Sequence, residues 1–101
     1  MPDVVLTMVM PVDIAQQVED LLLEHPDLVV GFSTCAVDGH GSAVRLVEPS
    51  ELVSGHSPRI QIQTVGQEEK LRAALDLLRK RLPRANVFYW LVPVLEFGRI
   101  A

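Results

Sequence analysis

Two histidines stand beside glycines in the middle of this sequence. His40 lies between Gly39 and Gly41, and His56 follows another glycine further along. Neutral imidazole binds zinc, copper and nickel, and Cys35 or a nearby carboxylate offers a third ligand. Two histidines without a short, fixed spacing are also typical of a solvated loop. Both interpretations stay open, a transition-metal site at His40, His56 and Cys35 or solvated turn residues.

Compact catalytic motifs are missing from the sequence. It has no Gly-x-Ser-x-Gly elbow, no Walker phosphate-binding loop and no His-Glu-x-x-His pair. Some small α+β enzymes work with one histidine and one carboxylate in a cleft, which keeps His40 with Asp38 as a third interpretation. We expect a protein that is not an enzyme.

Size and composition indicate one folded domain over residues 1–101. Hydrophobic residues make up 49% of the chain and charged residues 22%, which is too apolar for disorder. The mean hydropathy of +0.26 is high for so small a domain. It predicts that part of the surface is buried in an oligomer.

Membrane, secretion and nucleic-acid signals are all lacking. No apolar run approaches the roughly 18 residues that span a bilayer, and the N-terminus does not resemble a secretory signal. Cys35 is the single cysteine, which excludes an internal disulfide and fits a reducing compartment. The main basic cluster, at residues 79–84, lies at a predicted helix end, where cations stabilise the helix dipole. We expect a cytoplasmic protein with no membrane span and no nucleic-acid partner.

Four segments have the composition of β-strands. The third alternates polar and apolar residues, which predicts one buried side and one side that faces water or a partner. Cys35 is expected to be a small buried side chain, and Phe88, Tyr89 and Trp90 are expected in the core and in an interface. The four predicted strands are Asp3 to Met10, Leu28 to Val37, Pro58 to Val65 and Ala85 to Val92.

Two helices are predicted between these strands. Apolar residues recur at helical spacing from Ile14 to Leu22 and from Leu71 to Leu82, and a proline follows each pattern. The polar residues before each pattern predict capping boxes. The pairs are Asp13 with Gln16, and Thr64 with Gln67.

The resulting order, βαββαβ, predicts an α+β ferredoxin-like sandwich in which two helices cover one face of a four-stranded antiparallel sheet. A long loop from Asp38 to Ser57 joins strands two and three, and an apolar tail runs from Pro93 to Ala101. The other sheet face needs a cover, which favours self-association.

Three segments resemble a bacterial family of PII-like proteins: VVLTMVMP, LLLEHPDLVVGFSTCAVDGHG and VFYWLVPVLEFGRI. The wider superfamily includes the PII and CutA proteins, whose ferredoxin-like subunits form trimers. Genes of this small family often neighbour heavy-metal efflux systems. The resemblance therefore implies a PII/CutA-like fold, a homotrimer and a link to heavy-metal efflux.

The ends of the predicted long loop are similar to those of the PII signalling loop. The stretch VDGHG, which ends at Gly41, resembles the PII pattern Val-x-Gly-x-Gly, and Arg59 stands where PII has a lysine. In PII these junctions touch nucleotide between subunits. The resemblance implies an effector site at Gly39, His40, Gly41 and Arg59, and glycine N–H groups and a forked cation do suit phosphate.

The resemblance also implies a function. It is that of a non-catalytic regulator or sensor that binds a small effector between subunits and uses the 38–57 loop to engage a partner, a component of a metal-efflux system. The effector would be a nucleotide or a transition metal. The alternative is a tolerance protein that binds copper, zinc or nickel directly through His40, His56 and Cys35.

Overall fold

Six elements follow one another in a computed structural model that describes residues 3–40 and 57–101. The strands form one antiparallel sheet in which the second, third, first and fourth strands of the chain lie side by side in that order, so the first and third are central. This topology confirms the predicted ferredoxin-like sandwich. The predicted loop bounds are wrong at both ends, because Asp38 and Gly39 belong to the second strand and Ser57 to the third; residues 41–56 lie outside the described residues. The elements are β1 (Asp3–Pro11), α1 (Val12–Leu23), β2 (Ser33–Gly39), β3 (Ser57–Gln67), α2 (Glu68–Arg81) and β4 (Phe88–Pro93).

The core lies between the two helices and one face of the sheet, which we call the covered face. Alternate residues of the central strands point to the helices, and Leu6, Met8, Met10 and Ile62 are fully buried there. The apolar stripes predicted for both helices pack against them. The helical core residues are Ala15, Val18, Leu21 and Leu22 of α1 and Leu71, Ala74, Leu75 and Leu78 of α2. Neither helix is long and apolar enough to cross a membrane.

Both predicted capping boxes are wrong. The residue before α1 is Pro11 and the residue before α2 is Gln67, and neither end has a capping side chain. The reason is that β1 and β3 keep pairing up to Pro11 and Gln67, so each strand runs directly into its helix. Asp13 lies within the first turn of α1, and the Thr64 hydroxyl donates to the carbonyl of Gly31 instead.

Two strands begin later than predicted. The amides of Leu28 and Val29 donate to the carbonyl of His25 over 3.0 and 3.1 Å, so this part of the apolar run forms a turn, and β2 begins only at Ser33. Val29 is nevertheless buried in the core. A second turn, in which the Ala85 amide donates to the Leu82 carbonyl over 3.1 Å, delays the start of β4.

Candidate functional site

The end of β2 and the start of β3 lie side by side at one end of the sheet. Gly39 pairs with Ser57 and Val37 with Arg59, so the chain leaves the sheet and returns to it at adjacent points. The end of β1 lies at the same end of the sheet, because Pro11 pairs with Arg59 on the side of β3 that faces away from β2. We call Gly39, His40 and Arg59 the junction site. Gly41, the fourth predicted effector residue, lies outside the described residues.

Arg59 is the buried cation of the junction site, with an exposed fraction of 5%. Its neighbour Ile60 pairs with Met10 on the covered face, so Arg59 lies on the opposite face, which we call the open face. A guanidinium stays charged at any physiological pH, and its burial must be compensated by polar or ionic partners. The junction site therefore holds a fixed positive charge that is largely shielded from water.

The predicted metal ligands do not form a cluster in the described part of the chain. Cys35 precedes Gly39 on an extended strand by about 13 Å at the usual rise per residue, so the strand does not bring the thiol and His40 together. His56 lies outside the described residues. Among residues 3–40 and 57–101, no three His, Cys, Asp or Glu side chains are grouped as metal ligands would be.

The open face carries an apolar strip along β1 and β4. Register places Val5 beside Val92, Thr7 beside Trp90 and Val9 beside Phe88. Phe88, Trp90 and Val92 are 43–47% exposed, although they are large and apolar. Phe88 and Trp90 lie outside the core because the helices cover only the other face, whereas Tyr89 lies on the covered face but is 44% exposed. The expected core positions are therefore wrong within one chain, and the expected interface positions stay a prediction. We define the apolar strip as Val5, Val9, Phe88, Trp90 and Val92.

The β2 and β3 half of the open face is polar. The Gln63 amide donates to Thr7 Oγ1 over 3.1 Å, and the Gln61 amide approaches Cys35 Sγ at 3.8 Å. Cys35 is exposed, so its expected burial is also wrong; it is paired with Gln61, and both point away from the helices. The alternation of polar and apolar residues in β3 predicted this polar side. No pattern in β1 predicted that Thr7, on the same face, would be only 1% exposed.

The basic residues at the end of α2 lie where they were predicted. Arg79, Lys80 and Arg81 occupy its last turn. Arg79 also makes specific contacts, since its Nη1 donates to Asp76 Oδ1 over 2.7 Å and its Nη2 to the Tyr89 hydroxyl over 2.8 Å. These contacts link the helix to the edge strand β4.

Comparison with known proteins supports the fold. The model of a family described as "Protein of unknown function (DUF3240)" matches residues 1–101. A crystal structure of a DUF3240 family protein from Shewanella baltica superposes with a TM-score of 0.80 at 19% identity, over 100% of this chain and 99% of that one. No curated protein matches the sequence.

Two PII-like structures share the same architecture. One is a nitrogen regulatory PII-like protein from Thiomonas intermedia, bound to ADP, AMP and bicarbonate, with a TM-score of 0.71 and 18% identity over 100% of this chain and 98% of that one. The other is a putative PII-like signalling protein from Thermus thermophilus, with a TM-score of 0.64 and 17% identity over 93% of this chain and 88% of that one.

Proposed function

This chain belongs to the DUF3240 family, and we propose that it is a non-catalytic regulator of the PII-like kind. It binds a small effector at the junction site, between subunits, and uses residues 38–57 to engage a partner protein. The observation that carries the proposal is Arg59, a buried cation beside the two strand ends that lead into that segment.

An anionic effector suits the junction site best. A shielded guanidinium binds phosphate or carboxylate through paired charge-assisted hydrogen bonds, and glycine at position 39 lets the backbone approach a ligand closely. The structure of the Thiomonas protein is bound to ADP, AMP and bicarbonate. Adenine nucleotides, with and without bicarbonate, are therefore the first effectors to test here.

Binding at the junction changes the protein's behaviour only if the effector binds two states of the 38–57 segment unequally. Gly39 and Arg59 lie at the two ends of this segment, so a ligand held between them favours the states in which those ends are correctly placed. A partner that recognises one state then senses the effector. We place that partner in a metal-efflux system because of the family resemblance.

Calorimetry with ATP, ADP, AMP and cyclic nucleotides, each with and without bicarbonate, tests the effector. We expect binding by the wild type, a loss of about tenfold or more in Arg59→Gln, and partial recovery in Arg59→Lys. Arg72→Gln is the matched control, since Arg72 is paired with Glu68 on the outer surface of α2. Thermal unfolding of each variant separates loss of binding from loss of folding.

Absence of binding for every nucleotide would exclude the nucleotide effector, and equal binding by wild type and a folded Arg59→Gln would exclude the junction site. Hydrogen exchange at the amides of residues 38–57 tests the switch. We expect protection to increase when the effector binds. Unchanged protection with a bound effector would exclude the proposed signalling by this segment.

Metal titration tests the alternative effector. If copper, zinc or nickel binds through His40 and His56, His40→Ala loses affinity while His25→Ala, at the end of α1, does not. Binding then weakens as the pH falls through the range in which histidine protonates. Equal affinity in both variants, or no metal bound at about 10 µM, would exclude these ligands.

A homotrimer completes the proposal. The apolar strip is half exposed in one chain, and Leu95 and Ile100 in the tail are fully exposed, so association buries apolar surface that a single chain leaves in water. Light scattering at micromolar concentration should give three times the 11.2 kDa of one chain. A folded monomer would refute self-association, and a dimer would refute the analogy with PII trimers.

A further inference from the structure

A cavity of about 150 Å³ lies between the two helices and the edge strand β4. Its floor is formed by Met8 of β1 and Val18 of α1, which are fully buried, and its walls by Leu75 and Leu78 of α2. It lies on the covered face, so it is separate from both the junction site and the apolar strip. The cavity opens to the surface beside Pro83 and Tyr89, which are both exposed.

The turn between α2 and β4 holds the cavity open. The Leu82 amide continues the hydrogen bonding of the helix to Leu78 over 2.8 Å, and the Ala85 amide then closes a turn onto the Leu82 carbonyl. Leu82, Pro83, Ala85 and Val87 consequently lie beside the space and line it without filling it. Tyr89 is paired with Met8 and shares its face, but its hydroxyl is directed to Arg79.

Arg79 and Tyr89 form a polar rim on this apolar space. The Arg79 guanidinium lies 5.5 Å from the centre of the Tyr89 ring and donates to its hydroxyl. Among the described residues that line the cavity, Arg79 alone is charged. Arg79 already donates to the Asp76 carboxylate and to the Tyr89 hydroxyl, and because a guanidinium has five N–H donors, it keeps donors for an anion at the rim.

We propose that this cavity binds a small aromatic carboxylate. Its size is that of an apolar protein cavity that accommodates a benzene ring. The ring would lie against Met8 and Val18, while the carboxylate would accept hydrogen bonds from the Arg79 guanidinium and from the Tyr89 hydroxyl, whose proton remains available when its oxygen accepts from Arg79. Benzoate is the simplest molecule with both parts, and neutral benzamide has the same shape without the charge.

Titration of the full chain with benzoate, benzamide and acetate tests the proposal, with the methyl signal of Met8 as the site-specific probe in NMR. Met10 is an internal reference, because it is equally buried but does not line the cavity. We expect saturable benzoate binding near 0.1 mM, a magnitude within the usual ligand efficiency of so small a molecule. Benzamide should bind about tenfold more weakly, and acetate should leave the Met8 signal unchanged.

Variants at the rim separate charge recognition from simple filling of a void. Arg79→Gln should weaken benzoate about tenfold while leaving benzamide unaffected, and Tyr89→Phe should have a smaller effect in the same direction. Arg72→Gln on the same helix is the matched control, since its ion pair with Glu68 does not line the cavity.

Three results would overturn the proposal. The first is no shift of the Met8 signal at millimolar benzoate. The second is equal binding of benzoate and benzamide, or of benzoate by wild type and Arg79→Gln, which would make the cavity an unselective apolar void. The third is a Met8 signal that responds to protein concentration and not to benzoate, which would mean that a second copy of the chain occupies the space.

Discussion

The two faces of the sheet are built by alternate residues of the same strands, yet one chain completes only one of them. On the covered face Leu6, Met8 and Ile62 are fully buried by the helices. On the open face Phe88 and Trp90 remain 43% and 47% exposed. The two helices cover one side of the four-stranded sheet, and within one chain the large apolar side chains of the other side stay partly in contact with water.

The open face has an apolar half and a polar half, and this difference indicates which part a partner would bury. The apolar strip lies along β1 and β4, whereas the β2 and β3 half carries Gln61, Gln63 and Cys35. A partner can bury the strip and leave these polar groups in contact with water. We therefore expect the strip, and not the whole face, to dominate association.

The largest expected effect is on the covered face. Leu6→Ala removes a fully buried side chain and leaves a cavity, so it should lower the free energy of unfolding by about 2–5 kcal/mol. Val9→Ala, on the open face of the same strand, should cost much less when the chain is monomeric. Urea unfolding of both variants measures the difference, and equal losses would contradict the distinction between the faces.

The next effect concerns association. Trp90→Glu places a charge in the apolar strip and should reduce the mass of the oligomer, at a cost to association of about 2 kcal/mol or more. Leu23→Glu is the control, because Leu23 is 68% exposed but lies on α1. Light scattering should show a loss of mass for Trp90→Glu alone. The same loss of mass in both variants would indicate nonspecific association through exposed apolar residues.

The reactivity of Cys35 measures how far a partner covers the polar half. The thiol is exposed in one chain, so the reaction with a disulfide reagent should be fast in Trp90→Glu and, if the cover extends over β2, about tenfold slower in the wild-type oligomer. A time course of thiol modification gives both rates. Equal rates would limit the interface to the apolar strip.

The smallest effect compares two buried threonines. Thr64→Val removes the hydroxyl that donates to the Gly31 carbonyl on the covered side and should cost about 1 kcal/mol. Thr7→Val removes the acceptor of Gln63, whose exposed amide can turn to water, so it should be close to neutral. Thermal unfolding measures the stability of both variants. A larger loss of stability for Thr7→Val than for Thr64→Val would show that the hydrogen bond on the open face stabilises the fold more than its exposure suggests.

The order of the elements, the fold class and the apolar stripes of the helices were all predictable from the sequence. These features depend on local periodicity, two residues in a strand and 3.6 in a helix, and proline marks the ends of both helical patterns at positions 26 and 83. The pairing of Gly39 with Ser57 was not predicted, because both residues fall in the predicted loop and the two strands extend beyond their predicted ends.

Which side chains cap the helices and which are exposed depends on packing between elements that are distant in the sequence. Asp13 and Thr64 have the types of helix caps, but strand pairing continues beyond the positions where they would act. The exposure of Cys35 and Trp90 was not predictable from residue type, because it depends on which face of the sheet the helices cover. The burial of Arg59 was not predictable either, because Arg59 lies on the same open face as the exposed Gln63. The cavity beside Arg79 likewise lies between α1, α2 and β4, so no single segment of the sequence could predict it.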